Sequence, residues 1–159
     1  MVARESRQTA LRPMAREFTR IQLSGFDEFT RMTKTLAPRQ ARNLARSTTQ
    51  AVASQIAKKM KTKAPKDDGT LRKAIKAKRR KMRGDVAISD VRVEHGARAK
   101  NDAWYWWFVE NGTTKQAAQH YIRDSVTEIQ PEIPAIYTKE FHKRLQKALE
   151  KQAKQQGVF

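Results

Sequence analysis

Cysteine is absent from the 159 residues of this chain, which excludes both a disulfide framework and a thiolate metal site. No apolar run approaches the ~20 residues that a membrane-spanning helix needs. Histidine is scarce: His95, His120 and His142 are scattered, without the spacing of metal ligands. No Gly-rich phosphate loop is present. Residues 1–23 carry arginines without an apolar h-region, so no secretory signal is expected there and the chain reads as a cytosolic, soluble protein. Acidic residues are few, 16 Asp and Glu against 34 Lys and Arg. Asp85 and Glu94 lie near basic residues, but two acids without an E-x-K run make a poor nuclease site. No catalytic set, cofactor or metal is expected, and the chain is read as a non-enzyme.

Positive charge is what the chain has in excess. The net charge is +18 and the pI near 10.6. Such a balance implies an acidic partner: nucleic acid, an anionic protein surface or, less often, a membrane. The length suits one domain. With 38% hydrophobic and 31% charged residues the core must be small, which favours oligomerisation or long surface helices.

Residues 1–16 carry Arg4, Arg7, Arg12 and Arg16 with no apolar periodicity and read as a basic, flexible or partner-ordered arm. A single α+β domain is expected over 17–150, with a polar tail at 151–159. Phe18, Ile21 and Leu23 suggest a short strand. Ser24 then caps a helix built on Phe26, Phe29, Met32 and Leu36, ended by Pro38. Ala41, Leu44, Ala45, Thr48, Val52, Ile56 and Met60 recur at helical spacing and predict a long helix from Arg39 to about Thr62. Pro65 and Gly69 break the chain, and Thr70 is placed to cap a short turn. Residues 75–80 predict a strand and Gly84-Asp85 a turn. Val86 and Ile88 alternate in one parity, Val91 and Val93 in the other, so a bulge or tight turn is expected at Ser89-Asp90.

Gly96 to Asp102 reads as a loop. Tyr105, Phe108 and Val109 fit one face of a helix; Trp104, Trp106 and Phe108 fit one face of a strand. A helical turn, closed by Asn111-Gly112, is the expectation. Residues 114–131 read as a second loop anchored by Tyr121 and Ile122. Pro131 and Pro134 open a last helix with an apolar stripe of Ile133, Ile136, Tyr137, Phe141, Leu145, Ala148 and Leu149. The fold class is therefore α+β: a long helix in the N-terminal half and a C-terminal helix packed on a small, mostly antiparallel sheet.

Three groups of residues are candidates for function. From Lys58 to Arg83 there are 13 Lys and Arg but only Asp67 and Asp68, an excess of +11. Lys58, Lys59, Lys61, Lys63, Lys76, Lys78, Arg79, Arg80, Lys81 and Arg83 suit contact with phosphates, where each neutralised phosphate releases counterions. The alternative use of the same charge is a solvated helix end and a lysine-protected edge strand. Trp104, Trp106 and Trp107 lie together and, with Tyr121, are candidates for packing and for an interface. Base stacking is the other use of such a run. Glu110 follows an apolar run; as a buried carboxylate it can serve as an acid or base, or pair with an arginine, and the structural ion pair is the expected role.

Two segments carry a further pattern: Ala64-Pro65-Lys66-Asp67-Asp68-Gly69-Thr70-Leu71-Arg72, and Tyr105-Trp106-Trp107-Phe108-Val109-Glu110-Asn111-Gly112-Thr113. In this order they resemble the paired motifs Pro-x-Asp-Thr-Gly-x-Leu-Arg and Tyr-x-x-Phe/Tyr-Val-Glu-x-Gly-Thr of the small head–tail joining or tail-completion proteins of long-tailed phages. Ile21 to Phe29 resembles the opening of that family. Gln119 to Ser125 resembles its Gln-Pro-Phe-x-x-Pro-Ala segment, with His120 in place of Pro and Asp124-Ser125 in place of Pro-Ala. Asp68 stands where Thr is usual.

The resemblance covers residues 20–150 and marks Pro65, Asp67, Gly69, Leu71, Arg72, Tyr105, Phe108, Val109, Glu110, Gly112 and Thr113 as motif and turn residues. It implies a structural virion protein of the neck or tail end, found in the host cytoplasm during assembly. Such a protein would form a ring, a hexamer by preference, that helps join the tail to the capsid connector. Its partners would be its own copies, other neck, connector and tail proteins, and packaged DNA through non-specific contact, with no membrane. The rival readings are a non-specific nucleic-acid-binding regulator or assembly chaperone and, more distantly, a small nuclease.

Overall fold

The computed structural model describes residues 31–34, 36–84 and 86–155. The basic arm at 1–16 and the expected strand and cap at 18–24 lie outside these residues. Residues 31–33 are helical and Leu36 is buried, as the apolar spacing that ends there requires.

Helix α1 (Pro38–Lys63) is the spine of the molecule. Pro38 opens it, where a missing N–H costs nothing because first-turn donors have no partner within the helix. Its buried positions are Leu44, Thr48, Val52, Ala53, Ala57 and Met60, one stripe at helical spacing. The Thr48 hydroxyl, fully enclosed, donates to the Leu44 carbonyl at 2.9 Å and so is not itself left unpaired.

Arg72 closes the exit from α1. Its Nε and Nη2 both donate to the Ala64 carbonyl, at 2.9 and 2.7 Å. Gly69 follows at φ +78° and leads into α2 (Thr70–Ala74). The short helix runs directly into β1 (Ile75–Arg79), which pairs antiparallel with β2 (Ser89–Val93) in the register Ile75 to Val93 and Arg79 to Ser89. Ser89 and Asp90 sit inside β2 in regular pairing, so the expected turn between them does not exist. The phase slip has another cause: Val86 and Ile88 precede the strand, and Val86 is 63% exposed. Gln50 of α1 donates to the Ala77 carbonyl at 3.1 Å, tying β1 to the spine.

Helix α3 (Trp106–Asn111) confirms the helical alternative for the aromatic run. The segment 114–131 departs from expectation, because residues Tyr121–Ile129 form helix α4 rather than a loop. A 3-10 turn (Gln130–Glu132) then leads into α5 (Ile133–Gln155), which extends beyond residue 150.

Each half of α1 carries its own core. Leu36 and Leu44 pack with Phe141 and Leu145 of α5, and Val52 packs with Ile129 and Ile133. The largest cluster joins Ala57 and Met60 to Leu71, Ile75, Val93, Ala103, Val109 and Tyr121. Each enclosed Leu, Ile, Val or Met side chain there contributes about 1.5–3 kcal/mol of transfer free energy, and each enclosed Ala less. This cluster brings the two motif segments to one place.

Candidate functional site

The first motif segment is a corner made from side chain to backbone contacts. Asp68 accepts from the Thr70 amide and from the Thr70 hydroxyl, both at 2.8 Å. Asp68 thus satisfies the first free amide of α2, whose N-cap position is Gly69, and Thr70, expected as the cap, is the first residue of the helix. These bonds hold the Asp68 carboxyl below the usual carboxylate range. Leu71 is buried, Pro65 half-buried and Asp67 exposed.

The second segment meets the first through Tyr105, whose hydroxyl donates to Asp68 at 3.4 Å. Burial raises the Tyr105 phenol, and the negative charge of Asp68 adds to the shift. At the other end of α3, Glu110 is 9% exposed. Its Oε2 accepts from the Ile122 amide at 2.8 Å and its Oε1 from the Arg123 amide at 3.0 Å. The expected ion pair with an arginine is replaced by a cap on α4: two backbone donors that the helix cannot satisfy are met by one carboxylate, whose charge suits the positive end of the helix. With both oxygens so held, Glu110 is a strut between helices.

The loop between α3 and α4 is equally constrained. Gly112 has φ +77°, and a Cβ there would stand 2.7 Å from the Ala118 nitrogen and 2.9 Å from the Gln116 carbonyl oxygen. The Thr113 hydroxyl accepts from the amides of Lys115 and Gln116. The Gln119 and His120 amides donate back to the Val109 and Glu110 carbonyls, at 3.0 and 3.2 Å. His120 adopts φ +48°, unusual for a residue with a side chain, and turns the chain into α4. Tyr121 follows, 1% exposed. Its hydroxyl has no hydrogen-bond partner among the described residues, and burial with the nearby Glu110 charge pushes the phenol up.

The basic residues divide into two sets. Lys59 and Lys63 reach Glu128 of α4, Lys63 at 2.7 Å. Lys78 pairs with Glu94 at 2.5 Å and Arg80 with Asp90 at 2.6 Å. These cations are engaged within the fold, and both Glu128 and Glu94 are held below the usual carboxylate range by their lysines. The others have no carboxylate partner among the described residues. Lys58, Lys61 and Lys76 line one groove between α1 and β1, beside Ser54 and Ala77. Lys76 also faces Arg92 directly across the ladder, a like-charged pair whose repulsion the nearby Glu94 carboxylate offsets. Arg79, Lys81 and Arg83 lie on the far part of the hairpin.

The tryptophans are split as well. Trp106 packs on the main core and lies 6.0 Å from the His95 ring, whereas Trp104 is 65% exposed. Trp107 stands edge-on to Trp106 at 5.5 Å and is half-buried. Phe108, expected on the inner face with Tyr105 and Val109, is 43% exposed; only Val109 is enclosed. Asp67 and Asp68, beside Gly69, read from the sequence as turn and capping residues, and Asp68 makes such bonds to Thr70; its reach to Tyr105 and the left-handed turn at His120 were missed.

The main cluster therefore gathers Leu71, Val109 and Tyr121, and Asp68, Tyr105, Arg72 and Glu110 form the joints around it. Among the described residues no group of His, Asp and Glu is arranged to hold a metal, and no helix is long and apolar enough to cross a membrane. No curated protein and no solved structure matches the chain. Residues 27–112, which hold α1, the hairpin and the two motif segments as far as Gly112, match the HK97-gp10-like family, described as "Bacteriophage HK97-gp10, putative tail-component". The match spans more than half of the sequence, and the chain belongs to this family of phage tail components.

Proposed function

We propose that the protein acts at the neck or tail end of the phage particle, as a tail-completion or tail-terminator protein. It assembles as a ring, a hexamer by preference, and helps join the tail to the capsid connector around the DNA channel. The observation that supports this most is where motif residues go: Arg72, Tyr105 and Glu110 are committed to joints within the fold, and Asp68, which stands where Thr is usual, completes the joint at Tyr105. The family's recognisable residues thus build a shape, and the exposed aromatics and unpaired cations are left for neighbours. In this reading the protein works by shape and charge complementarity, without a chemical step, and its place is the virion after assembly in the host cytoplasm.

Disruption of the gene in its phage tests this reading. Full capsids and separate tails should accumulate, and the protein supplied in trans should restore joined particles. The purified chain should sediment as a closed oligomer and appear annular by electron microscopy. Normal virions without the protein would overturn the proposal.

A second reading has its own support. The lysine groove of Lys58, Lys61 and Lys76 suits a nucleic-acid backbone. A regulator or assembly chaperone would bind DNA through it as a monomer and be missing from purified particles.

A further inference from the structure

We infer that Trp104, Tyr105, Phe108, Asp67 and Asp68 form a docking surface for the basic hairpin tip of a second copy of this chain. The inference rests on the ring reading and specifies the contact that would build the ring. Trp104 and Phe108 are exposed by 65% and 43%, the largest aromatic surface open to solvent among the described residues. The patch is continuous: the Trp104 ring meets Tyr105 edge-on at 5.9 Å and Phe108 at 6.1 Å. The Tyr105 hydroxyl extends it to Asp68, and Asp67 beside it is exposed with no cation partner among the described residues. Aromatic faces bordered by carboxylates are a receptor for guanidinium and ammonium groups.

The chain itself carries the complementary surface. Arg79, Lys81 and Arg83 have no carboxylate partner among the described residues, and Val86 beside them is 63% exposed. The two surfaces stand at opposite ends of one ladder. The patch adjoins the base of β1, through the α2 corner, whereas the tip lies beyond Arg79. At ~3.3 Å per residue, Lys81 is about 20 Å from Ile75 along the strand. Pairing with β2 keeps the strand extended, so the tip does not fold back onto its own patch. Contact between different patches on successive copies is heterologous, the kind that closes into a ring when its rotation permits. A protein of net charge +18 also repels its copies unless an acidic surface meets a basic one.

Zero-length carbodiimide cross-linking of the full-length protein, followed by peptide mapping of the oligomer, tests this directly. A cross-link between Asp67 and Lys81 of different copies is expected. Asp67→Lys and Lys81→Asp should each weaken self-association about tenfold or more, and the double exchange should recover most of it. Trp104→Ala should remain folded by circular dichroism and associate more weakly. An oligomer that is unchanged in Asp67→Lys and Trp104→Ala and cross-links elsewhere would overturn this contact while the ring stands. A chain that stays monomeric at all concentrations would overturn the ring as well. Protection of Lys81 and Arg83 by duplex DNA, with association indifferent to Lys81→Asp, would assign the tip to nucleic acid and overturn the docking.

Discussion

The Glu110 carboxylate accepts the Ile122 amide at 2.8 Å, across a sequence separation of twelve residues. That bond anchors the start of α4 to the end of α3. α4 is short, its first residue follows a strained His120, and no local side chain caps it. Its N-terminus is satisfied from outside, by a carboxylate at the end of α3.

Removing this cap should be expensive. Glu110→Ala leaves the Ile122 and Arg123 amides without acceptors in a half-buried place and should lower stability by about 2 kcal/mol or more. Glu110→Gln keeps one acceptor and should lose less. Urea unfolding followed by circular dichroism measures both. Unchanged midpoints would remove Glu110 from the framework.

The two motif glycines should respond differently. Gly69 and Gly112 both have positive φ, so an added Cβ is strained at either. At Gly69 the space is open, and Gly69→Ala should cost about 1–2 kcal/mol. At Gly112 the Cβ also meets the Ala118 backbone at 2.7 Å, so Gly112→Ala must shift the loop that returns to α3 and should cost more. Gly69→Val should lower solubility or assembly. Equal stabilities for the two alanine variants would show that the 112–118 loop yields freely.

These joints mark what was legible in the sequence. α1 was readable because its stripe persists from Leu44 to Met60, about five turns, and α5 because its apolar spacing persists from Ile133 to Leu145. The hairpin was readable at Ile75–Arg79, but Val86 and Ile88 lie beyond the regular ladder, Val86 in an isolated bridge to Arg83 and the Ile88 carbonyl accepting the Arg80 amide, a looser pairing with the same sequence pattern as a strand. α4 was hidden because its start is set by Glu110 and His120, a tertiary cap and a left-handed turn that propensity does not encode. The charge excess was plain from composition; which lysines are free was not, since that depends on where Glu128, Glu94 and Asp90 fall in space.

Tyr121 gives a pH signature. The folded state raises its pKa, chiefly by burial, so the phenol is favoured neutral. That contribution is fully present below the unfolded value near 10 and declines as pH rises above it, because the unfolded chain then releases a proton that the folded chain keeps. Tyr121→Phe should therefore flatten the loss of stability above about pH 10. The hydroxyl has no partner among the described residues, so the same variant should be neutral or slightly more stable at pH 7. A strong destabilisation at pH 7 would show that the hydroxyl is bonded in solution.

Charge reversal should separate the two sets of lysines. Lys58, Lys61 and Lys76 changed to Glu should weaken DNA binding and flatten its dependence on salt, by nearly one unit of log–log slope for each phosphate that is no longer neutralised. Reversal of Lys59 and Lys63 sets them against Glu128 and should lower stability instead. Reversal of Lys78, Arg79, Arg80 and Lys81 mixes the effects, since Lys78 and Arg80 hold β2 through Glu94 and Asp90. Gel-shift titrations at several salt concentrations, beside thermal melts, distinguish them. Identical behaviour of both sets in both measurements would mean that the groove is no site.

The tryptophans should divide in stability before any partner is involved. Trp106 packs on the cluster that contains Ile75, Val109 and Tyr121, and its ring lies against His95. Trp106→Ala removes a large partly buried ring from the joint of the two motif segments and should cost roughly 3 kcal/mol, near the lower end for such truncations. Among the described residues the Trp104 ring stands edge-on to Tyr105 and Phe108 with most of its surface in solvent, so Trp104→Ala should cost well under 1 kcal/mol. Trp107, half-buried and edge-on to Trp106, should fall between them. Thermal melts at low protein concentration measure these costs without assembly, and near-ultraviolet circular dichroism reports the aromatic environment. If Trp104→Ala were as destabilising as Trp106→Ala, the ring would have to be covered within the monomer, and neither a neighbouring copy nor a nucleic-acid base would be needed to account for it.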